Sequence, residues 1–148
     1  MLKKITLLLT VALLTVLLVG CGGAEPEEPE AGGEVALELT GNVENEMAWT
    51  EAELQAMDTM TVEVENRDGE MEEYTGVSMN ALLEEAGVGS DASTINLVAS
   101  DGYSADVPLA EVQACDDCIV AFDDGLRSIL PGFPGNKQVK GLIEIQVE

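Results

Sequence analysis

The 148-residue chain carries 29 acidic residues against 6 basic ones, has no histidine, and bears a formal net charge of −23. The absent imidazole excludes Ser-His-Asp and Cys-His nucleophile systems, histidine-ligated haem and the common histidine-containing zinc and copper sites. The acidic excess repels phosphate backbones, so no nucleic-acid partner is expected.

Lys3 and Lys4 are followed by an apolar run from Ile5 to Val19, relieved only by threonines, and then by Gly20 and Cys21. A positive segment, an apolar core of about 15 residues and a small-residue processing site describe an export signal over residues 1–20, not a membrane span. Leu18-Val19-Gly20-Cys21 resembles the lipobox of bacterial lipoproteins. The resemblance implies acylation of Cys21 and an extracytoplasmic protein held at the bacterial membrane by lipid. Loss of residues 1–20 removes Lys3 and Lys4, leaving 29 acids against 6 − 2 = 4 bases, a charge of −25. Attachment then depends on the lipid, because such a surface opposes anionic headgroups. Residues 21–34, with Gly, Pro and Glu and almost nothing apolar to bury, read as a disordered acidic tether.

Residues 35–148 are long enough for one core and too short for two. Val35 to Leu39 alternates weakly and suits a first strand. Thr50-Glu51-Ala52-Glu53 has the capping-box pattern that opens a short helix through Leu54 and Met57. Met60 to Glu65 alternates with period two, stops at the turn Asn66-Arg67-Asp68-Gly69, and resumes over Glu70 to Tyr74, predicting a hairpin with one wet face. Ser78 can cap a helix carrying Met79, Leu82, Leu83 and Ala86, closed by Gly87. Ile95 to Ser100 reads as a buried strand, Ala105 to Pro108 as its return, and Leu109 to Gln113 as one or two helical turns. Ile119 to Phe122 and Gly141 to Glu148 supply further strands, which makes an α+β, mainly β domain.

Three groups of residues could carry chemistry. Cys115 and Cys118 form a C-x-x-C pair, open either to a structural disulfide or to a redox-active dithiol; by itself the pair gives at most two zinc ligands. Asp116, Asp117, Asp123 and Asp124 could face a hard cation, but without EF-hand spacing, and no metal site is expected there. Arg127, Lys137 and Lys140 bracket the glycine-rich stretch Gly132-Phe133-Pro134-Gly135, where exposed backbone amides and cations could hold a small anionic ligand.

Five segments, in order, resemble the molybdopterin-binding domain of sulfite-oxidase-type oxidoreductases: Leu39 to Val43, Tyr74 to Gly87, Ala99 to Leu109, Val120 to Gly125, and Leu130 to Val147. Within the last, LPGFPGNKQVKGLIEIQV is similar to the family's P-G-x-x-G turn and the lysine step that leads into a strand. The resemblance implies the sulfite-oxidase-like fold in reduced form, and it places Arg127 and Lys140 where the family has cofactor-contacting cations. The sequence also departs from the pattern. The family's metal-ligating cysteine has no counterpart in Val62-Glu63-Val64-Glu65-Asn66-Arg67, its cofactor-contacting histidines are missing, and the stretch between Gly125 and Arg127 is cut to Leu126. The expectation is therefore a non-catalytic binding or accessory domain, acting on a small anionic ligand or a protein partner, with no catalytic residue and no cofactor. Molybdopterin is the cofactor that the alternative, a minimal oxidoreductase, would carry; a thiol redox protein working through Cys115 and Cys118 is the third reading.

Overall fold

In a computed structural model that describes residues 33–148, the domain is built from two β-sheets and three short helices. The expected export signal, the expected acylation site Cys21 and residues 21–32 of the expected tether lie outside the described residues. In chain order the elements are β1 (Val35–Gly41), β2 (Met47–Thr50), α1 (Glu51–Ala56), β3 (Thr59–Glu65), β4 (Met71–Ser78) and α2 (Met79–Ala86). They continue with β5 (Thr94–Ala99), β6 (Ser104–Pro108), α3 (Leu109–Gln113), β7 (Ile119–Phe122), β8 (Leu126–Ile129), a 3-10 turn over Gly135–Lys137, and β9 (Leu142–Val147). The α+β, mainly β expectation holds. None of the described helices is long and apolar enough to cross a membrane.

Local chemistry explains most of these boundaries. The Thr50 hydroxyl accepts from the Glu53 amide at 3.2 Å while the Glu53 carboxylate accepts from the Thr50 amide at 2.8 Å, the reciprocal cap that starts α1. Ser78 caps α2, and Gly87, at φ +71°, ends it in a left-handed conformation that glycine adopts without a Cβ penalty. Two strands go beyond the sequence expectations. β2 is only four residues long, and β8 carries Arg127 and the fully buried Ser128 in a segment to which the sequence pattern assigns no element.

The larger sheet has the order β2-β1-β9-β5-β6, with β1 and β9 parallel and the other neighbours antiparallel. Its buried side chains, among them Leu37, Leu39, Ile95, Leu97 and Ile145, meet Leu82, Leu83 and Met79 of α2 in the main core. The smaller sheet is antiparallel in the order β3-β4-β7-β8. One of its faces carries Val62, Ile119, Ala121 and Ile129 in a second buried cluster, with Met60, Val64 and Tyr74 packed against it. On the opposite face Val77 and Val120 join the main core, while Thr61, Glu63, Glu65, Glu73 and Thr75 stand in solvent. Gly76 lets β4 and β7 approach closely, since a Cβ there would strike the Val120 carbonyl.

The β3–β4 hairpin fixes which backbone groups of β3 are spent. Gly69, at φ +82°, donates to the Asn66 carbonyl at 3.1 Å, and the Asn66 amide donates to the Glu70 carbonyl at 2.8 Å. Asn66 and Glu70 are thus a hydrogen-bonded pair. In an antiparallel ladder such pairs alternate, so with Val62 opposite Tyr74 and Val64 opposite Glu72, residues 62 and 64 also bond inward to β4. Thr61, Glu63 and Glu65 turn their N–H and C=O groups outward.

Candidate functional site

A cleft of about 860 Å³ opens beside the smaller sheet. The end of β3 and its hairpin, residues 63–68, form one wall; Ile129 of β8 and the segment from Leu130 to Lys140 form the other. Because β3 and β8 are the two edges of one four-stranded sheet, the cleft brings together residues that neither pattern nor spacing connects.

The second wall is held from behind. The Gln138 side chain accepts from the Leu130 amide at 2.8 Å and donates to the Leu130 carbonyl at 2.7 Å, in place of a neighbouring strand. The Ser128 amide donates to the Val139 carbonyl at 2.9 Å, and the Ser128 hydroxyl accepts from the Val139 amide at 2.8 Å. Two longer ties reach the larger sheet. The Tyr103 hydroxyl donates to the Asn136 carbonyl at 2.6 Å, and the Lys137 ammonium donates to the Asp106 carbonyl at 2.6 Å.

At the cleft, one guanidinium sits in a chain of polar contacts. Arg127 donates through Nη1 to Asp123 Oδ2 and to the Tyr74 hydroxyl, both at 3.1 Å, and its guanidinium carbon lies 5.1 Å from the centre of the Tyr74 ring. Tyr74 in turn donates to Glu72 at 2.6 Å, and Asn66 donates to the other Glu72 oxygen at 3.1 Å. The Tyr74 and Asn66 hydrogen bonds hold the Glu72 carboxyl below the usual carboxylate range. The same bond to Glu72, helped by burial, pushes the Tyr74 phenol up. Arg127 Nε is buried and has no hydrogen-bond partner among the described residues.

The sequence-predicted site residues separate here. Arg127 and Lys140 both line the cleft and are joined by an isolated β-bridge. Lys140 is exposed and makes no ion pair among the described residues, whereas Arg127 already has Asp123. Lys137 is not part of the lining; it points to β6. Asp123 is the arginine's partner, and no group of three or more acidic or cysteine side chains among the described residues is placed to hold a metal. Cys115 and Cys118 are joined in a disulfide with their Cα atoms 5.4 Å apart, and neither lines the cleft. Their carbonyls anchor α2: Cys118 accepts from the Met79 amide at 2.9 Å and Cys115 from the Asn80 side chain at 3.3 Å. Tyr74, Glu72 and Gln138 were not proposed as site residues from the sequence. The early signals for Tyr74 are the period-two pattern that places it in the hairpin and its position at the start of the family-like Tyr74–Gly87 segment.

A sequence model of the oxidoreductase molybdopterin binding domain matches residues 25–148. The chain belongs to that family. Among solved structures it is similar to the sulfane dehydrogenase SoxCD from Paracoccus pantotrophus, with a TM-score of 0.66 and 21% sequence identity. The match covers 75% of this chain and 37% of the SoxCD chain, so the present chain spans little more than a third of that length. No curated protein shows a significant match. Membership of the molybdopterin-binding family makes the lining chemistry informative. Among the described residues the cleft has four carboxylates (Glu63, Glu65, Asp68, Glu72) against three cations (Arg67, Arg127, Lys140) and no thiol.

Proposed function

We propose that this molybdopterin-binding-family domain is a lipid-anchored, extracytoplasmic binding or accessory domain that does no metal-centred chemistry. The observation that carries the reading is the lining of the cleft: among the described residues no thiolate faces it, and carboxylates outnumber cations. A pterin dithiolene cofactor is large and anionic and needs compensating cations, and a metal held by the protein needs a soft ligand. The two cysteines that remain after Cys21 are tied to each other in another part of the fold. Arg127 is neutralised by Asp123, which leaves Lys140 and the hairpin's Arg67 as the cleft cations for a small anionic ligand. These residues do not fit the metal-bearing cofactor. The export signal and lipobox-like segment support the location.

A minimal molybdopterin oxidoreductase is the second reading, favoured by family membership and by Arg127 and Lys140 at one cleft. Metal and pterin analysis decides between them. The full chain, purified from a host that makes the cofactor, is expected to contain neither molybdenum nor fluorescent pterin. Stoichiometric amounts of both in a folded sample would overturn the accessory reading.

A further inference from the structure

The two edges of the smaller sheet are not equivalent. Gln138 and Val139 occupy the hydrogen-bonding positions along β8. Along β3 the outward groups of Thr61, Glu63 and Glu65 meet no backbone partner among the described residues. Glu63 and Glu65 also line the cleft, so their free N–H and C=O groups border a space wide enough to receive chain.

The charge on this edge selects among occupants. Glu63 stands directly opposite Glu73 on the solvent face, both exposed and without a cation in ion-pair contact among the described residues. Like charges in register destabilise a sheet, and opposite charges at adjacent positions relieve this. A second copy docking edge to edge would set Glu63 and Glu65 against further glutamates. The chain's own tether, with glutamates and prolines at residues 25–30, adds the same charge and lacks amides at the prolines. The other face of β3 presents half-buried Met60 and Val64 at the margin of the second apolar cluster. An added strand with cations on one face and apolar side chains on the other matches both.

We propose that β3 is a docking edge for an extended segment of a partner protein that alternates basic and apolar residues and adds as a fifth strand. The proposal rests on the accessory reading above, to which it supplies the partner. The main-chain bonds would run to residues 61, 63 and 65; the basic side chains would lie over Glu63, Glu65 and Glu73, and the apolar ones beside Met60 and Val64. A domain carrying 25 acids and 4 bases over residues 33–148, a net −21, also speeds the approach of a cationic partner.

The test is calorimetric titration of the full chain with the peptide Thr-Lys-Val-Lys-Val-Lys-Thr, with Thr-Glu-Val-Glu-Val-Glu-Thr as control. Saturable binding of the basic peptide, absent for the acidic one and weakened about tenfold or more by 0.5 M salt, is expected. Glu63→Pro removes one outward N–H that β4 does not use, so the fold is expected to survive while affinity drops at least about tenfold. If that variant does not fold, the basic peptide N-methylated at alternate residues gives the same readout on the unaltered chain. No binding to the unaltered chain, or equal binding by Glu63→Pro or by the N-methylated peptide, would overturn the proposal, the latter because charge alone would then account for the association. Molybdenum and pterin analysis of the same sample keeps the outcomes apart: cofactor present sinks the accessory reading, whereas a cofactor-free chain that ignores the peptide sinks only the docking edge.

Discussion

β8 and β3 are both edge strands of one antiparallel sheet, yet the chain finishes only β8. There a single glutamine satisfies both backbone groups of the fully buried Leu130, and Ser128 trades two bonds with Val139. On β3 the outward groups face solvent and the cleft, guarded by glutamates. The difference follows burial. Unpaired backbone groups are costly only where water cannot reach them, and β8 lies under the 130–140 segment while β3 does not. A sheet edge left open on the solvent side therefore costs little stability and stays available for pairing.

Breaking the closed edge should give the largest effect. Gln138→Ala orphans the N–H of buried Leu130, whose C=O keeps the Phe133 amide at 3.1 Å, and is expected to cost roughly 2–3 kcal/mol, read as a lower urea midpoint at unchanged m. Ser128→Ala removes only the hydroxyl that Val139 donates to and that donates to the Lys137 carbonyl at 3.1 Å; a loss of about 1–2 kcal/mol is expected in the same assay. The open edge should respond in the opposite direction. Glu63→Lys replaces the repulsion with Glu73 by attraction and should stabilise the domain by about 0.5 kcal/mol; a lower urea midpoint would mean that Glu63 is not in like-charge conflict.

The smallest effect concerns pH. Glu72 has a folded-state pKa below its ordinary 4.5, so its contribution is present above that value and is lost as pH falls through the lower one. Tyr74 has a folded-state pKa above 10.0, so its contribution is present below pH 10.0 and is lost as pH rises through the raised value. Tyr74→Phe should flatten both ends of the stability–pH curve at once. An acid limb unchanged in that variant would mean that the Tyr74–Glu72 bond does not form in solution.

Much of the fold was legible because its signals are local. The capping box at Thr50, the turn at Asn66–Gly69 and the 3.6-residue spacing of Met79, Leu82, Leu83 and Ala86 each state their element within a few residues. β8 was missed because Leu126 to Ile129 is short and holds Arg127 and Ser128, whose burial depends on Val139, Tyr74 and Asp123 elsewhere in the chain. For the site, the cations were visible and their fates were not. Arg127, Lys137 and Lys140 look alike as a basic loop, but Arg127 lines the cleft paired with Asp123, Lys137 is directed to β6, and Lys140 lines the cleft without an ion pair among the described residues. Only the folding of distant strands onto one another decides which is which. The C-x-x-C spacing made the two cysteines neighbours, and the structure joins Cys115 and Cys118 in a disulfide.

The ties from Tyr103 to Asn136 and from Lys137 to Asp106 have a kinetic consequence. They clamp the far wall of the cleft to the β5–β6 hairpin of the other sheet, so that wall cannot swing out by itself. Amide exchange along residues 130–140 should then share its opening rate with the β5–β6 turn instead of behaving as an independent surface loop. Whatever enters the cleft meets a wall tied to the other sheet on one side and the hairpin of β3 and β4 on the other.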